Sequence, residues 1–415
     1  MIEFGDFFDG TNKLDELRVL TYLRALEAIG CDAVGVTSSS FAMGLAFLEQ
    51  CMKDSFVPFV SSNATHTDTG ARLGERFVIK ETSKHRVGIT SIADDRFSRE
   101  TGVSKGHPHD AGFVSKSSAG SLARVQEKGI KIDEPFKALA ENLSLMEKQC
   151  DILIVMSSLS QQENERIADR FPRINVIVGN NGKGGEKLAG GTLIVNNRSN
   201  KGKLLGRLTL AVSGKNAIAG HTVEWLSIDK KLPDNKEVRK ILDGFYDAVA
   251  KDEKLWQDVE PKLASFDLEK DQSNQYVGAA NCASCHEAVY RDWRKSKHAR
   301  AYNTLLDRNR HFFPDCVSCH TTGAGLATGF QVGQATGHLE GVQCEICHGP
   351  ASEHVATDGV FQLRKAVPEE LCVKCHDSEV SPNFKDKFEA LMRSVNHANS
   401  KGLSRTGTGE LTRTE

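Results

Sequence analysis

Four copies of one five-residue pattern crowd into the last third of the chain: "CASCH" (282–286), "CVSCH" (316–320), "CEICH" (344–348) and "CVKCH" (372–376). They take eight of the 11 cysteines. Four C-x-x-C pairs alone would read as two zinc sites of four cysteines each. Here a histidine follows each pair at once: His286, His320, His348 and His376. With 14 histidines in 415 residues, four in those slots by accident has odds on the order of one in a million, and C-x-x-C-H is the c-type haem attachment signal. The spacing has a chemical reason. Two thiols add across two vinyl groups of the porphyrin to form thioethers, and the adjacent histidine binds iron axially. The expectation is four c-type haems, held by Cys282, Cys285, Cys316, Cys319, Cys344, Cys347, Cys372 and Cys375. Zinc is the first alternative. Thioredoxin-like redox chemistry is the weaker one, because no βαβ pattern surrounds the pairs.

Nine of the 14 histidines lie between residues 271 and 400. Beyond the four in the motifs, His298, His311, His338, His354 and His397 remain. Four haems with two histidines each would take four of those five. A lone histidine is ordinarily a solvated or core-satisfied side chain. Its concentration in this segment favours axial ligation, with His298, His354, His397 and His338 as distal ligands and His311 as the competitor for the last place.

The chain has two unlike halves. Residues 1–232 read as α/β, with buried-strand runs such as "DAVGV", "RVGITSI", "DILIVMS" and "NVIVG" alternating with helical patterns. In "KLDELRVLTYLRALEAIG", Leu14, Leu17, Leu20 and Leu23 recur at spacing three and Gly30 supplies the stop. Residues 233–274 read as a charged linker helix, 275–400 as a mainly α, haem-packed cytochrome domain, and 401–415 as a flexible polar tail. The net charge of −2 offers no electrostatic case for nucleic acid, and no run of 18 apolar residues suggests a transmembrane segment. The N-terminal "MIEFGDFFDG" lacks the basic and apolar regions of a signal peptide.

"DWRKSKHARAY", "DCVSCHTTGAG", "GVQCEICHGPASEH" and "CVKCHDSEVSPNF…NH" resemble the tetrahaem cytochrome c554 family, over about residues 275–400 and in family order. The resemblance implies that His298, His354 and His397 are distal ligands. His354 follows His348 by six residues, too few to round the same porphyrin, so it is expected to cap a different haem. The family also contains a haem with an open sixth position, which is what His338 and His311 decide here. Arg291, Arg294, Lys295, Lys297 and Arg300 flank His298 and are read either as partners of haem propionates or as a solvated helix face.

"GDFFDG", "GCDAVGVTSSSFAMGLAFL", "VPFVSSNA", "DILIVMSSLS", "INVIVGNNGKGG" and "LPDNKEVRKILDGFYDAV" resemble the metallophosphatase domain of the 5'-nucleotidase family, which implies a layered αββα sandwich. Of the two-metal ligands only Asp6 matches. The other slots read Thr37-Ser38-Ser39-Ser40, Ser158, and Asn180-Asn181-Gly182-Lys183. Hydroxyls are poor ligands beside imidazole and carboxylate, and Lys183 would repel an ion. Phosphatase activity is therefore expected to be absent. A rearranged site from Asp6, Asp9 and His66 or His221 is the alternative. The expected core of this half includes Val34, Val36, Ile152, Ile154, Val176 and Val178. Cys31, Cys51 and Cys150 read as buried thiols, with a Cys31–Cys51 disulfide as the alternative.

Covalent haem is attached outside the cytoplasm, so the expected location is periplasmic or extracellular. The leader absent from the given start is then expected upstream of it. The leading function is electron transfer to and from redox partner proteins through four haems. The alternatives are an oxidoreductase acting on a small nitrogen or sulfur compound at a five-coordinate haem, and a structural role in a homo-oligomer or filament.

Overall fold

The computed structural model describes residues 1–8, 10, 12–94, 129–179, 184–197, 202–213, 217–229, 231–256, 274–377, 380–381, 383–395, 397, 404–405 and 411–412. Two compact units divide between Phe245 and Tyr246. The first contains β1 (Ile2–Glu3), α1 (Lys13–Ala28), β2 (Ala33–Gly35), α2 (Leu45–Asp54), β3 (Phe59–Val60), β4 (Ala64–His66), β5 (Val78–Glu81), β6 (Arg86–Ile92) and β7 (Ile130–Ile132). It continues with α3 (Pro135–Met146), β8 (Ile152–Ser157), α4 (Gln161–Arg170), β9 (Val176–Gly179), β10 (Glu186–Ala189), β11 (Thr192–Asn196), β12 (Leu204–Ser213) and β13 (Ala217–Ser227). Helix α5 (Lys236–Lys251) spans the division and occupies part of the stretch expected as a linker.

The layers follow from where the apolar side chains go. Parallel strands β1-β2-β3 form one sheet, and β10-β11-β9-β8-β6-β5 form the other, parallel at its centre with antiparallel edges. Phe4, Ala33 and Val60 of the first sheet meet Ile89 and Met156 of the second in a core between the sheets. On the outer side of the first sheet, Val34, Val36 and Phe59 pack with Val19, Leu23 and Leu26 of α1 and Leu48 of α2. On the outer side of the second, Leu153, Ile177 and Ile194 pack with Leu139 and Leu143 of α3 and Ile167 of α4. The order is helix, sheet, sheet, helix: the αββα sandwich. Ile152 and Val176 are buried as expected, while Ile154 and Val178 are partly buried against the inter-sheet core.

Helix α1 begins with a reciprocal cap: the Asn12 side chain accepts from Asp15 N–H (2.9 Å), and the Asp15 carboxylate accepts from Asn12 N–H (3.3 Å). It ends before Gly30, whose φ of +74° suits a residue without Cβ. Its buried stripe is Leu14, Val19, Leu23 and Leu26. The spacing-three reading drifts off this face because the helix turns every 3.6 residues, which leaves Leu17 and Leu20 half-buried. Cys31, Cys51 and Cys150 are buried free thiols. Strands β12 and β13 form a separate two-stranded ribbon. One face pairs Leu208 with Val223 and Val212 with Ile218, and the Arg207–Glu224 ion pair (2.8 Å) lies on the other.

The second unit is built from short helices: α6 (Ala279–Cys282), α7 (Glu287–Trp293), α8 (Asn303–Leu306), α9 (Pro314–His320), α10 (Cys344–His348), α11 (Ser352–Ala356), α12 (Glu369–Cys372) and α13 (Phe388–Val395). Its main apolar cluster is Tyr276, Tyr302, Leu305, Val317, Ala324, Leu326, Phe330 and Leu339. In the segment expected as a tail, Ser404–Arg405 and Leu411–Thr412 pair as β14 and β15, too short to be stable alone. Among the described residues no helix is long and apolar enough to cross a membrane.

Candidate haem-ligand site

Each C-x-x-C-H motif sits on or beside one of these short helices. Cys316–His320 lies within α9 and Cys344–His348 forms α10, while Cys282 and Cys372 end α6 and α12. A helical turn brings cysteines three residues apart to one side. None of the eight thiols is buried, and Cys285 is exposed. The motifs also meet each other. The Cys282 thiol hydrogen-bonds with that of Cys344, and this bond, followed by burial, pushes the Cys282 thiol up.

The histidines pair across motifs. His286 faces His354 with ring centroids 6.3 Å apart and planes at 18°. His298 faces His376 at 6.0 Å, and His348 faces His397 at 5.6 Å. Two imidazoles on opposite sides of one metal, each bound at about 2 Å, have ring centres about 6 Å apart. Each pair joins a motif histidine to one of the expected distal histidines, and His354 faces His286 rather than its near neighbour His348.

The ring nitrogens are oriented to suit. His348 Nδ1 donates to Arg364 O (2.6 Å), His320 Nδ1 to Ala301 O (2.8 Å) and His354 Nδ1 to Phe361 O (2.6 Å). His376 Nδ1 lies 3.1 Å from Ser381 Oγ. A carbonyl can only accept, so Nδ1 carries the proton and Nε2 presents its lone pair. Burial and then the His376 imidazole push His298 down, toward the neutral form that binds metal. Among the described residues no group of three or more His, Cys, Asp or Glu side chains could hold a metal. Haem iron takes only two protein ligands, and each facing pair supplies two imidazoles. The donor set fits haem.

His320 has no histidine ring against it among the described residues. His338, the expected fourth distal ligand, is exposed on a 3₁₀ turn, Gly337–Leu339. Its Cδ2 and carbonyl lie against Gly278, where a Cβ would come within 3.2 and 2.9 Å of them, so the turn is held beside the first motif. His311 sits edge-on to Tyr302 (6.3 Å) and Phe312 (5.4 Å), with Nδ1 buried and without a hydrogen-bond partner among the described residues. Arg291, Arg294, Lys295, Lys297 and Arg300 are exposed. Arg294 lies over the Tyr290 ring (5.9 Å), and Lys295 pairs with Asp292 (3.3 Å).

Two residues around Cys344 were not anticipated. Glu345 is buried and accepts from the N–H groups of Val277 (2.9 Å), Gly278 (2.7 Å) and Ala351 (3.0 Å). Burial pushes its carboxyl up, and the three N–H bonds oppose that. Gln343 accepts from Ala279 N–H (2.5 Å), and its Nε2 donates to His338 O and Glu340 O, both at 2.8 Å. Together they clasp segment 277–279, which leads into the first motif, onto the third. The signal in the sequence was small: Glu345 is the one acidic residue inside any of the four C-x-x-C pairs.

Residues 281–349 match the cytochrome c554 and c-prime family. The matched stretch contains the first three motifs whole. A cytochrome c-554 from Nitrosomonas europaea is 33% identical over 90 residues, covering 18% of this chain and 38% of that protein. The chain thus spans well under half the length of this relative. The likeness to cytochromes c554 implies covalently bound c-type haem in this segment.

In the first unit, Asp6 accepts from Thr37 Oγ1 (2.9 Å) and Ser39 Oγ (2.6 Å). Two hydroxyls thus bind the one carboxylate that matches the two-metal pattern. Ser158 Oγ lies apart, accepting from Asp94 N–H (3.2 Å). His66 and His221 face Glu49 (3.4 Å) and Glu186 (3.6 Å) rather than Asp6. Asp9, Asn180, Asn181, Gly182 and Lys183 lie outside the described residues. Solved structures similar to this part include sulfate thiohydrolase SoxB of Thermus thermophilus (18% identity, TM-score 0.45, 57% of this chain and 41% of that one). They also include a 5'-nucleotidase precursor from the same species (18%, TM-score 0.47, 60% and 49%). A third is the calcineurin-like phosphoesterase YfkN of Bacillus subtilis (16%, TM-score 0.46, 60% and 82%).

Proposed function

We propose that the chain is an extracytoplasmic electron-transfer protein carrying four covalently attached haems. The observation that carries this reading is the set of three cross-motif histidine pairs at 5.6–6.3 Å. The cysteine pairs would hold the porphyrins by thioethers, with each S–H adding across a vinyl C=C and no oxidant consumed. His286 with His354, His376 with His298, and His348 with His397 would be the axial ligands of three haems. The carbonyls of Arg364, Ala301 and Phe361 hold three of the imidazoles so that Nε2 points away from its own backbone contact. When bound, haem supplies a one-electron couple at iron.

A second reading applies to the second motif. His320 would be the sole histidine ligand there, and an open sixth position could take a small nitrogen or sulfur compound. Magnetic resonance of the oxidised protein tests both readings. We expect three low-spin haems and one high-spin haem. Four low-spin signals would remove the second reading, and fewer than three would remove the proposed pairs. Addition of nitric oxide or sulfite should perturb only the high-spin signal.

A further inference from the structure

We infer that Glu345 is a potential-setting residue: a buried carboxylate that holds the haems of the first and third motifs at low potential. This rests on the four-haem reading above and deepens it. Glu345 is 1% exposed. Its two oxygens meet three N–H donors and, among the described residues, no acceptor. A protonated acid carries an O–H that needs an acceptor, whereas a carboxylate accepts only. The pocket is therefore built for the anion. Three backbone N–H dipoles offset the charge, and the nearby His338 also favours the anion.

Its placement gives that charge a target. Glu345 lies between Cys344 and Cys347, the attachment points of the third motif. Its bonds to Val277 and Gly278 fix the backbone five and four residues ahead of Cys282, whose thiol touches that of Cys344. Gly278, at φ +83°, is packed too closely against His338 to carry a side chain. The clasp thus holds the carboxylate at the junction of the two motifs. A fixed negative charge in a water-poor interior is felt strongly, and it favours ferric iron, which bears one more positive charge than ferrous. The other motifs have Ala-Ser, Val-Ser and Val-Lys at the enclosed positions.

The test is potentiometric titration of Glu345→Gln, a near-isosteric loss of charge, after intact mass shows four haems attached. The haems of the first and third motifs are identified by the loss of their low-spin signals in His354→Ala and His397→Ala. At least one of them should become easier to reduce by about tenfold, a rise of about 59 mV for one electron. The second and fourth should move less. Glu345→Asp keeps the charge and should return the potentials toward the parent's, which a purely structural role would not do. Unchanged potentials in a four-haem Glu345→Gln protein would overturn the inference while leaving the relay intact. A parent protein with fewer than four haems would overturn both. Should Glu345→Gln fail to mature, the parent's own titration decides. The first- and third-motif haems must then be the last two reduced, and finding them reduced first contradicts the assignment.

Discussion

The two units solve the problem of an interior in opposite ways. The first fills its interior with its own side chains. Three apolar clusters separate its four layers, and Leu48, Leu139, Leu153, Ile167 and Ile177 are fully enclosed. The second has one main apolar cluster and helices of four to eight residues, shorter than can persist alone. Its motif thiols are half-buried or exposed, and its histidine rings face one another about 6 Å apart. The first unit shows the converse: an aspartate where a metal could bind, already bound by the hydroxyls of Thr37 and Ser39. One unit is closed by its own side chains, while the other sets pairs of histidine rings facing one another.

The largest expected effect breaks that contrast directly. Replacing all eight motif cysteines with alanine should leave the described strands and helices of the first unit protected in hydrogen exchange, while the described helices of the second exchange like an unfolded chain. If both units stay protected, the second has a sufficient core of its own. Next come the distal histidines. His298→Ala, His354→Ala and His397→Ala should each turn one low-spin haem to high spin without loss of haem mass, read by magnetic resonance. Three unaltered spectra would mean that the paired rings are not the ligands.

How much of this was legible in the sequence depends on range. The four motifs are local patterns, and four repeats of one rare spacing leave little choice of chemistry. The strands of the first unit were legible for a similar reason, since "DILIVMS" and "NVIVG" are apolar runs of strand length. Contacts between distant segments were not. Nothing local says that Asp6 meets Thr37 and Ser39, or that Glu345 reaches back to Val277. The histidine count puts His338 forward as a ligand, but its place beside Gly278 and Gln343, which binds its carbonyl, cannot be read from histidine spacing.

Smaller effects sharpen the comparison. Leu139→Ala should cost the first unit about 2–5 kcal/mol, because the space it leaves is enclosed. Chemical denaturation should show that loss in the first unit's transition, with the haem spectrum unchanged. Asp6→Ala removes a carboxylate that carries no metal in this account, so nucleotide hydrolysis with added Mn, Zn or Co should be absent before and after it. Metal-dependent turnover that vanishes in Asp6→Ala would mean that the first unit holds a live site. Asn12→Ala should cost about 1 kcal/mol through loss of the α1 cap, again in the first unit alone.

The most direct test of the central claim is the intact mass of the purified protein. The account predicts the chain plus four haems, an increment that survives acid-acetone extraction because each is held by two thioethers. The mass of the bare chain, or of the chain with zinc, would contradict it.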